Sequence, residues 1–316
     1  MRRALLTGAG GFLGKHVAAE LESNGIEVRR LRCRWKDARA EPLFRLNDGA
    51  PETGELVDLL EKTAPEAIFH LAGTTHAPQL FEVNVDYAMR LISAARHLRL
   101  DATIVLAGSA AEYGDVEERQ LPVSETCPCR PVTPYGISKH AQTLIGLAAA
   151  TAGSRVVVAR LFNVVGRGMA RHLPLMDIAL RLAASQGDGR LSVGDLDLER
   201  DFVDAAGAAR GLVGLTRQPK ALGQVFNLCS GRGIWLRDVV ERMAGSIPWP
   251  VTMMHDATLS RLSQPRRMIG DPAKLASIGL VTPPPNFDRL LPILIAEASL
   301  LVSGDRRVDR ERQSAT

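Results

Sequence analysis

A tyrosine and a lysine lie four residues apart in the segment TPYGISK, residues 133–139. Proline is favoured in the first turn of a helix, and side chains at i and i+4 share one helix face, so Tyr135 and Lys139 are predicted to be neighbours. A phenol with an ordinary pKa of about 10 transfers protons poorly near neutral pH. A nearby ammonium group and a helix N-terminus favour the phenolate and lower that pKa. The pair could therefore give a proton to a carbonyl oxygen or take one from a hydroxyl.

A serine follows a predicted buried strand in the segment AGSAAEYG, residues 107–114. The carboxyl end of a strand in an α/β sheet faces the crevice where such folds bind their ligands. The Ser109 hydroxyl could thus hydrogen-bond a substrate oxygen beside Tyr135. Taken alone, a serine at this place is more often the cap of a turn or helix.

Three glycines, Gly8, Gly11 and Gly14, are spaced three residues apart in LLTGAGGFLG, residues 5–14. A turn without Cβ atoms can bend tightly and let a phosphate approach the backbone. The N–H groups and the dipole at the following helix N-terminus then attract negative charge. We expect this turn, together with Phe12 and Leu13, to hold the pyrophosphate of a nicotinamide dinucleotide.

The end of the second predicted strand bears on the choice of dinucleotide. Arg32 lies eighteen residues beyond Gly14, with Arg30 and Arg34 alternating around it and no carboxylate before Asp37. Arginine binds a 2′-phosphate through a fork of donors, whereas a carboxylate would repel it. Arg32 therefore favours NADP(H), with NAD(H) possible. The alternative is that these arginines form a solvated face.

The elements that must position these residues alternate regularly over the first half of the chain. Buried strands are predicted at 3–6, 26–31, 67–71, 103–107 and 155–161, with a weaker one near 43–46 and a later one at 224–228. Amphipathic helices are predicted at 12–24, 54–62, 80–99 and 135–152. Such alternation predicts an α/β fold with a Rossmann-type, doubly wound parallel sheet.

The alternation ends near residue 163, which suggests a second unit. We predict a dinucleotide-binding domain over 1–163 plus about 201–245. A smaller C-terminal substrate-binding lobe is predicted from about 164–200 and 246–303. The polar tail, 304–316, is predicted to be disordered.

Composition narrows the class of protein. The 316 residues are 46% hydrophobic and carry a net charge of +4, without a basic stripe interleaved with aromatics, so no nucleic-acid partner is expected. No apolar stretch reaches the ~18 residues of a membrane span, and no leader is visible. The four cysteines show neither a disulfide framework nor metal-ligand spacing. These features predict a cytoplasmic protein with reduced thiols and no metal.

Together, the motifs resemble the extended short-chain dehydrogenases/reductases of the sugar-nucleotide epimerase/dehydratase family, over roughly residues 3–300. The matching segments are TGAGGFLG at 7–14, HLAG at 70–73, NV at 84–85, GSAAEYG at 108–114, PYGISK at 134–139, RLFNVVG at 160–166, RDFVD at 200–204 and FNLCSG at 226–231. Within the family, their order is most similar to GDP-4-keto-6-deoxy-mannose reductases.

The resemblance implies a role for each matching residue. Ser109, Tyr135 and Lys139 would be the catalytic triad, with Lys139 also binding the nicotinamide ribose. The remaining implied contacts are, for the cofactor, Leu71, Ala72 and Gly73, and, for the substrate, Asn84, Ser109, Asn163, Arg200 and Arg261.

The resemblance also implies an activity. The preferred hypothesis is an NADPH-dependent reduction of the 4-keto group of a nucleotide-linked 6-deoxy-hexose. A 4-epimerase with tightly bound NAD is the alternative, and a non-catalytic NADP-binding sensor is a third reading. Ala110 and Ala111 replace the acidic pair of family dehydratases, which disfavours dehydration. Gln264 stands where an acidic residue commonly precedes the proline, so the nucleotide base stays open.

An oligomeric state is implied as well. Helices 80–99 and 135–152 keep apolar residues after one face packs on the sheet. In the family such helices pair with their twins, so a homodimer through a four-helix bundle is expected.

Overall fold

A seven-stranded parallel sheet forms the centre of the computed structural model, in the order β10-β6-β5-β4-β1-β2-β3. The structure describes residues 1–33, 45–46, 51–75, 78–185, 189–259 and 265–314, without the side chains of 32–33, 45–46 and 304–314. The strands are β1 Arg3–Thr7, β2 Glu27–Cys33, β3 Arg45–Leu46, β4 Ala67–His70, β5 Thr103–Ser109, β6 Val156–Leu161, β7 Asn163–Val165, β8 Arg190–Val193, β9 Glu199–Asp204, β10 Val225–Leu228, β11 Gly233–Trp235, β12 Thr252–His255 and β13 Arg267–Met268. The helices are α1 Phe12–Ser23, α2 Thr53–Thr63, α3 Tyr87–His97, α4 Pro134–Thr151, α5 Pro174–Ala184, α6 Ala205–Leu215, α7 Leu236–Gly245, α8 Ala273–Ser277 and α9 Phe287–Ser314.

The predicted strands and helices of the first half are found to within a few residues, except that the π-helical segment Glu82–Asp86 precedes α3 within the helix predicted at 80–99. The predicted strand at 224–228 pairs with β6 and closes one edge of the sheet. Strand order reverses between β1 and β4, which is the switch point where doubly wound sheets bind ligands.

Both faces of the central sheet are covered, which explains why β1, β4, β5 and β6 are mostly apolar. On β1, Leu6 lies in the core formed with α1 and α6, and the preceding residue, Leu5, lies in the core formed with α2 and α3. Both leucines are fully buried. The strands of the sheet are therefore fixed by burial on two sides, and their carboxyl ends form one rigid edge.

A second core lies in the smaller lobe and includes α5, α7 and α9. Helix α7 packs there through Val239, Val240 and Met243, although the sequence division placed 201–245 with the dinucleotide domain. Conversely, Leu275 of α8 packs in the core of the first domain. The chain therefore crosses between the two cores more often than the alternation pattern predicts. Each helix packs in the core that buries its apolar face.

The C-terminal segment differs from the prediction of a disordered tail. Helix α9 extends to Ser314, well beyond Gly304. Four arginines lie in residues 304–314, and Arg is a good helix former even without an apolar face. Among the described helices, none combines the length and the apolar character needed to cross a bilayer.

Candidate functional site

A cleft of about 700 Å³ runs from the glycine turn after β1 into the smaller lobe. It is lined by most of the predicted site residues, namely Gly8, Gly11, Phe12, Leu13, Gly14, Leu71, Gly73, Ser109, Tyr135, Lys139, Asn163 and Arg200. The fold thus brings together segments that are almost two hundred residues apart in sequence.

The glycine turn forms a cradle in which a side chain at Gly8 or Gly14 would collide with the backbone. Gly8 has a φ of +67°, and its carbonyl accepts a hydrogen bond of 2.9 Å from the N–H of Gly11. A methyl group at Gly8 would lie 2.7 Å from the backbone nitrogen of Ala72, and one at Gly14 would overlap the Gly8 carbonyl. Gly11 is the N-cap of α1 and has no side chain to cap the helix. The first N–H groups of α1 can therefore bind an anion. The turn fits the pyrophosphate of a dinucleotide.

The arginines of β2 are only partly within the described structure. Arg30 donates a 2.5 Å ion-paired hydrogen bond to Glu22. The side chain of Arg32, which carried the prediction of NADP(H), lies outside the described part of the chain, as does Arg34.

Ser109 and Tyr135 meet where β5 ends and α4 begins. The Ser109 hydroxyl caps the following turn by accepting a 3.2 Å hydrogen bond from the N–H of Ala111, and Ser109 also lines the cleft. Thr133 caps α4 through a 3.0 Å bond from the N–H of Gly136. A methyl group at Gly136 would lie 2.5 Å from the Ala111 carbonyl, so the two elements are in close contact.

The electrostatics of the tyrosine and the lysine differ from the sequence argument. Burial raises the pKa of the Tyr135 phenol, and the adjacent Ser109 hydroxyl only partly opposes this effect. The predicted lowering of the Tyr135 pKa by Lys139 is therefore not seen. The Lys139 ammonium donates a hydrogen bond to Gln142. Burial lowers the pKa of Lys139 to about 8, against the attraction of Glu112.

A neutral histidine lies next to this lysine. His70, at the end of β4, is fully buried, and its Nδ1 is 3.0 Å from the Thr7 hydroxyl. Burial, followed by the charge of Lys139, lowers the pKa of His70 to about 3. His70 therefore adds no positive charge to the site near neutral pH.

Asn84, which is predicted to contact the substrate, does not line the cleft. It is fully buried in a π-helical segment, Glu82–Asp86, that precedes α3. Its side chain accepts a hydrogen bond from the N–H of Thr74 and donates to the Thr74 carbonyl, both at 2.9 Å. It also donates to Ser138. Asn84 thus ties the cleft wall at Thr74 to α4.

Ala72 likewise stands behind the cleft surface. Its N–H donates a 3.1 Å hydrogen bond to the Thr7 hydroxyl, while Leu71 and Gly73 on either side line the cleft. The backbone of this segment is therefore held against the end of β1.

Asn163 and Arg200 both line the cleft. Asn163 donates to the Asp201 carbonyl at 3.0 Å, which links β7 to β9. Arg200 donates to the carbonyls of Glu199 and Arg266, and burial lowers its pKa to about 10. Arg261 falls outside the residues that the structure describes.

Several polar residues of the lobe were missed by the sequence reasoning. His172, Asp177, Arg181 and Asp195 all line the cleft. Asp177 and Arg181 form a 2.7 Å ion pair one turn apart on α5. Their i, i+4 spacing is visible in the sequence, but it is equally typical of a solvated helix face.

The chain is similar to known proteins over most of its length. A model of the NAD dependent epimerase/dehydratase family matches residues 4–229. The GDP-6-deoxy-D-mannose reductase of Pseudomonas aeruginosa is 31% identical over 87% of this chain and 90% of its own length. The UDP-glucose 4-epimerase of Azospirillum brasilense is 27% identical over 76% of each chain.

A solved structure shares the fold. RMD from Pseudomonas aeruginosa, complexed with NADPH, superposes with a TM-score of 0.80 at 28% identity, covering 94% of this chain and 100% of the other. With the family model and the 31% identical relative, the glycine cradle and the cleft lead to one conclusion. The chain belongs to the NAD dependent epimerase/dehydratase family.

Proposed function

We propose that this protein reduces the 4-keto group of a nucleotide-linked 6-deoxy-4-keto-hexose with NADPH. The observation that carries the proposal is the meeting of Ser109, Tyr135 and Lys139 at the floor of a cleft that begins at the glycine cradle. The similarity to a GDP-6-deoxy-D-mannose reductase supports the substrate class.

The cofactor would be held by the turn at Gly8–Gly14 and by the backbone at Leu71 and Gly73. When bound, the nicotinamide supplies a hydride to a carbonyl carbon. Lys139, whose ammonium is buried beside Gly73, would bind the ribose hydroxyls. Arg32 would accept the 2′-phosphate that distinguishes NADPH.

Tyr135 would donate its phenolic proton to the ketone oxygen as the carbon is reduced. A reduction consumes a proton, and the raised pKa of Tyr135 keeps that proton on the phenol near neutral pH. Ser109 would donate a hydrogen bond to the same oxygen. Asn163 and Arg200 would hold the diphosphate side of the substrate, since Arg200 places a guanidinium in the cleft wall.

The test is Tyr135→Phe, assayed with NADPH and GDP-4-keto-6-deoxy-mannose by loss of NADPH absorbance. We expect kcat to fall by about 10²–10⁴-fold, because the proton donor is lost. NADPH affinity, measured by fluorescence, should stay within about threefold.

Tyr113→Phe is the matched control, because it removes a buried hydroxyl that bonds to Asn227 and does not line the cleft. This variant should lose stability and keep its turnover. Normal turnover by Tyr135→Phe would refute the mechanism.

A 4-epimerase is the second candidate, favoured by the similarity to a UDP-glucose 4-epimerase. The same three residues would serve both reactions, but an epimerase keeps its NAD and shows no net redox change. Stoichiometric NAD on the purified protein, together with no consumption of NADPH on 4-keto sugars, would decide for the epimerase. The intact contact between Ser109 and Tyr135 argues against the non-catalytic sensor.

A homodimer is proposed through α3 and α4, which pack side by side. Met89 on α3 and Leu144 on α4 are 46% and 53% exposed, and Phe81 and Ile137 are similarly exposed. A second copy related by a twofold axis would cover these side chains in a four-helix bundle.

A further inference from the structure

A fully buried carboxylate lies directly behind the proposed site. Glu112 ends the short 3₁₀ turn Ala110–Glu112 and is not part of the cleft lining. One oxygen, Oε1, accepts a 2.9 Å hydrogen bond from the N–H of Ser109. The other, Oε2, accepts a 3.0 Å bond from Nε of Arg160. Glu112 thus joins the Ser109 backbone to β6.

The residues around the Glu112–Arg160 ion pair leave room for it and bury it. Arg160 is only 4% exposed, and its guanidinium lies 4.7 Å from the centre of the Tyr113 ring. A methyl group at Gly108 would lie 2.6 Å from Glu112 Oε1, so the absence of a side chain there leaves room for the carboxylate. Because a buried charge is costly unless it is paired and hydrogen-bonded, removing either partner alone should be harmful.

The carboxylate also faces α4. His140 Nδ1 is 3.7 Å from Glu112 Oε2, and the Cys129 thiol, from the loop before α4, lies within 4.8 Å of both. The negative charge of Glu112 raises the pKa of both Tyr135 and Lys139.

Among the described groups around Lys139, Glu112 is the negatively charged one that acts on its ammonium. Gln142 accepts a hydrogen bond from the ammonium and carries no charge. His70, on β4, is neutral at and above neutral pH. Of the charged groups described around Lys139, Glu112 is thus the one that favours the ammonium.

We propose that Glu112 is a positioning residue for the reductase reaction proposed above. Its carboxylate holds the Ser109 backbone against Arg160, and its negative charge favours the ammonium form of Lys139. Glu112 does not contact the reacting atoms, and it acts through Ser109 and Lys139.

The test is Glu112→Gln, which can still accept the Ser109 hydrogen bond but has no charge. We expect kcat to fall about tenfold or more, while KM for the sugar changes little. The alkaline fall in activity should move to lower pH by about one unit, because Lys139 loses its neighbouring charge. NADPH affinity followed by fluorescence across the same pH range should show the same displacement without any turnover.

The double variant Glu112→Gln/Arg160→Met separates this role from a merely structural one, because it leaves no unpaired buried charge. We expect it to recover the Tm that the single variant loses and to keep the displaced pH profiles. If the double variant recovers both Tm and the wild-type profiles, Glu112 is only a structural ion-pair partner and the proposal is wrong.

The proposed function can fail separately. A wild-type protein that binds NADPH but reduces none of the 4-keto sugars tested would refute the reductase function. The pH dependence of NADPH binding in the single and double variants would still decide whether Glu112 acts on Lys139.

Discussion

Lys139 combines a buried ammonium with a place at the cleft, and this combination predicts a pH dependence. Its pKa is about 8, below the ordinary lysine value, because burial disfavours the charged form. The ammonium is therefore lost as the pH rises through about 8. We expect turnover and NADPH affinity to fall over that range, and pH profiles of kcat/KM and of NADPH fluorescence would measure the effect.

Lys139→Arg is the matched variant, since a guanidinium stays charged throughout this range. Whatever activity it retains should show no fall near pH 8. A wild-type profile that stays flat up to the ordinary lysine pKa would contradict the prediction. Between the folded pKa of about 8 and the ordinary lysine pKa of 10.5, Lys139 is protonated in the unfolded chain but not in the folded one. Lys139 therefore makes the free energy of unfolding rise with pH over that range.

At the same scale, the meeting of Tyr135 and Lys139 at the cleft could be predicted from the sequence. The electrostatics of the site could not. Tyr135 and Lys139 share a helix face because of their spacing, and both line the cleft. The direction of the Tyr135 pKa depends on burial and on Glu112, which no local pattern reveals. The buried position of Asn84 could not be predicted, because its partners, Thr74 and Ser138, come from two other segments.

At the scale of elements, Asp201 connects β9 to two loops. Its carboxylate accepts hydrogen bonds from the N–H and hydroxyl of Ser230 and from the N–H groups of Gly231 and Gly270. Asp201→Asn would turn one acceptor into a donor facing these N–H groups. We expect a loss of about 1–3 kcal/mol in the free energy of unfolding, measured by urea denaturation.

Asp101→Asn is a suitable control for this substitution. Asp101 is 90% exposed and forms a 3.3 Å ion pair with Arg155. Its loss should change the free energy of unfolding by less than about 0.5 kcal/mol. Equal effects of the two substitutions would show that the Asp201 hydrogen bonds do not stabilise the junction of β9 with its loops.

The elements themselves were predictable where burial is periodic and local. Strands β1, β4, β5 and β6 are mostly apolar, since both faces of the sheet are covered. The packing of α7 was not predictable in this way, because the alternation of elements does not reveal which of two cores an apolar face joins. The π-helical segment Glu82–Asp86, which contains Asn84, was also missed.

At the scale of the whole molecule, the cleft depends on two cores that the chain crosses repeatedly. The glycine cradle and Tyr135 belong to the domain of the central sheet, whereas Arg181 and Leu236 belong to the lobe. Ligands that span the cleft should therefore stabilise both parts together. The face formed by α3 and α4 also comes from the domain of the central sheet, so the proposed dimer would leave the lobe free to adjust around a substrate.

The proposed dimer predicts the effect of a charge at its centre. Met89→Glu/Leu144→Glu would place four carboxylates in a twofold bundle, where they would be buried and would repel one another. We expect the variant to sediment as a monomer at concentrations where the wild type is a dimer, with a dissociation constant raised at least ~10²-fold.

Leu300→Glu on α9 is the control, because Leu300 is 74% exposed and lies on the lobe, away from α3 and α4. It should sediment as the wild type does. A wild type that remains monomeric at all concentrations would refute the dimer, whereas a dimer that survives the double substitution would place the interface on another surface. Helix α4 also carries Tyr135 and Lys139. Loss of the dimer should therefore lower kcat if the partner subunit holds α4 in place, and leave kcat unchanged if it does not.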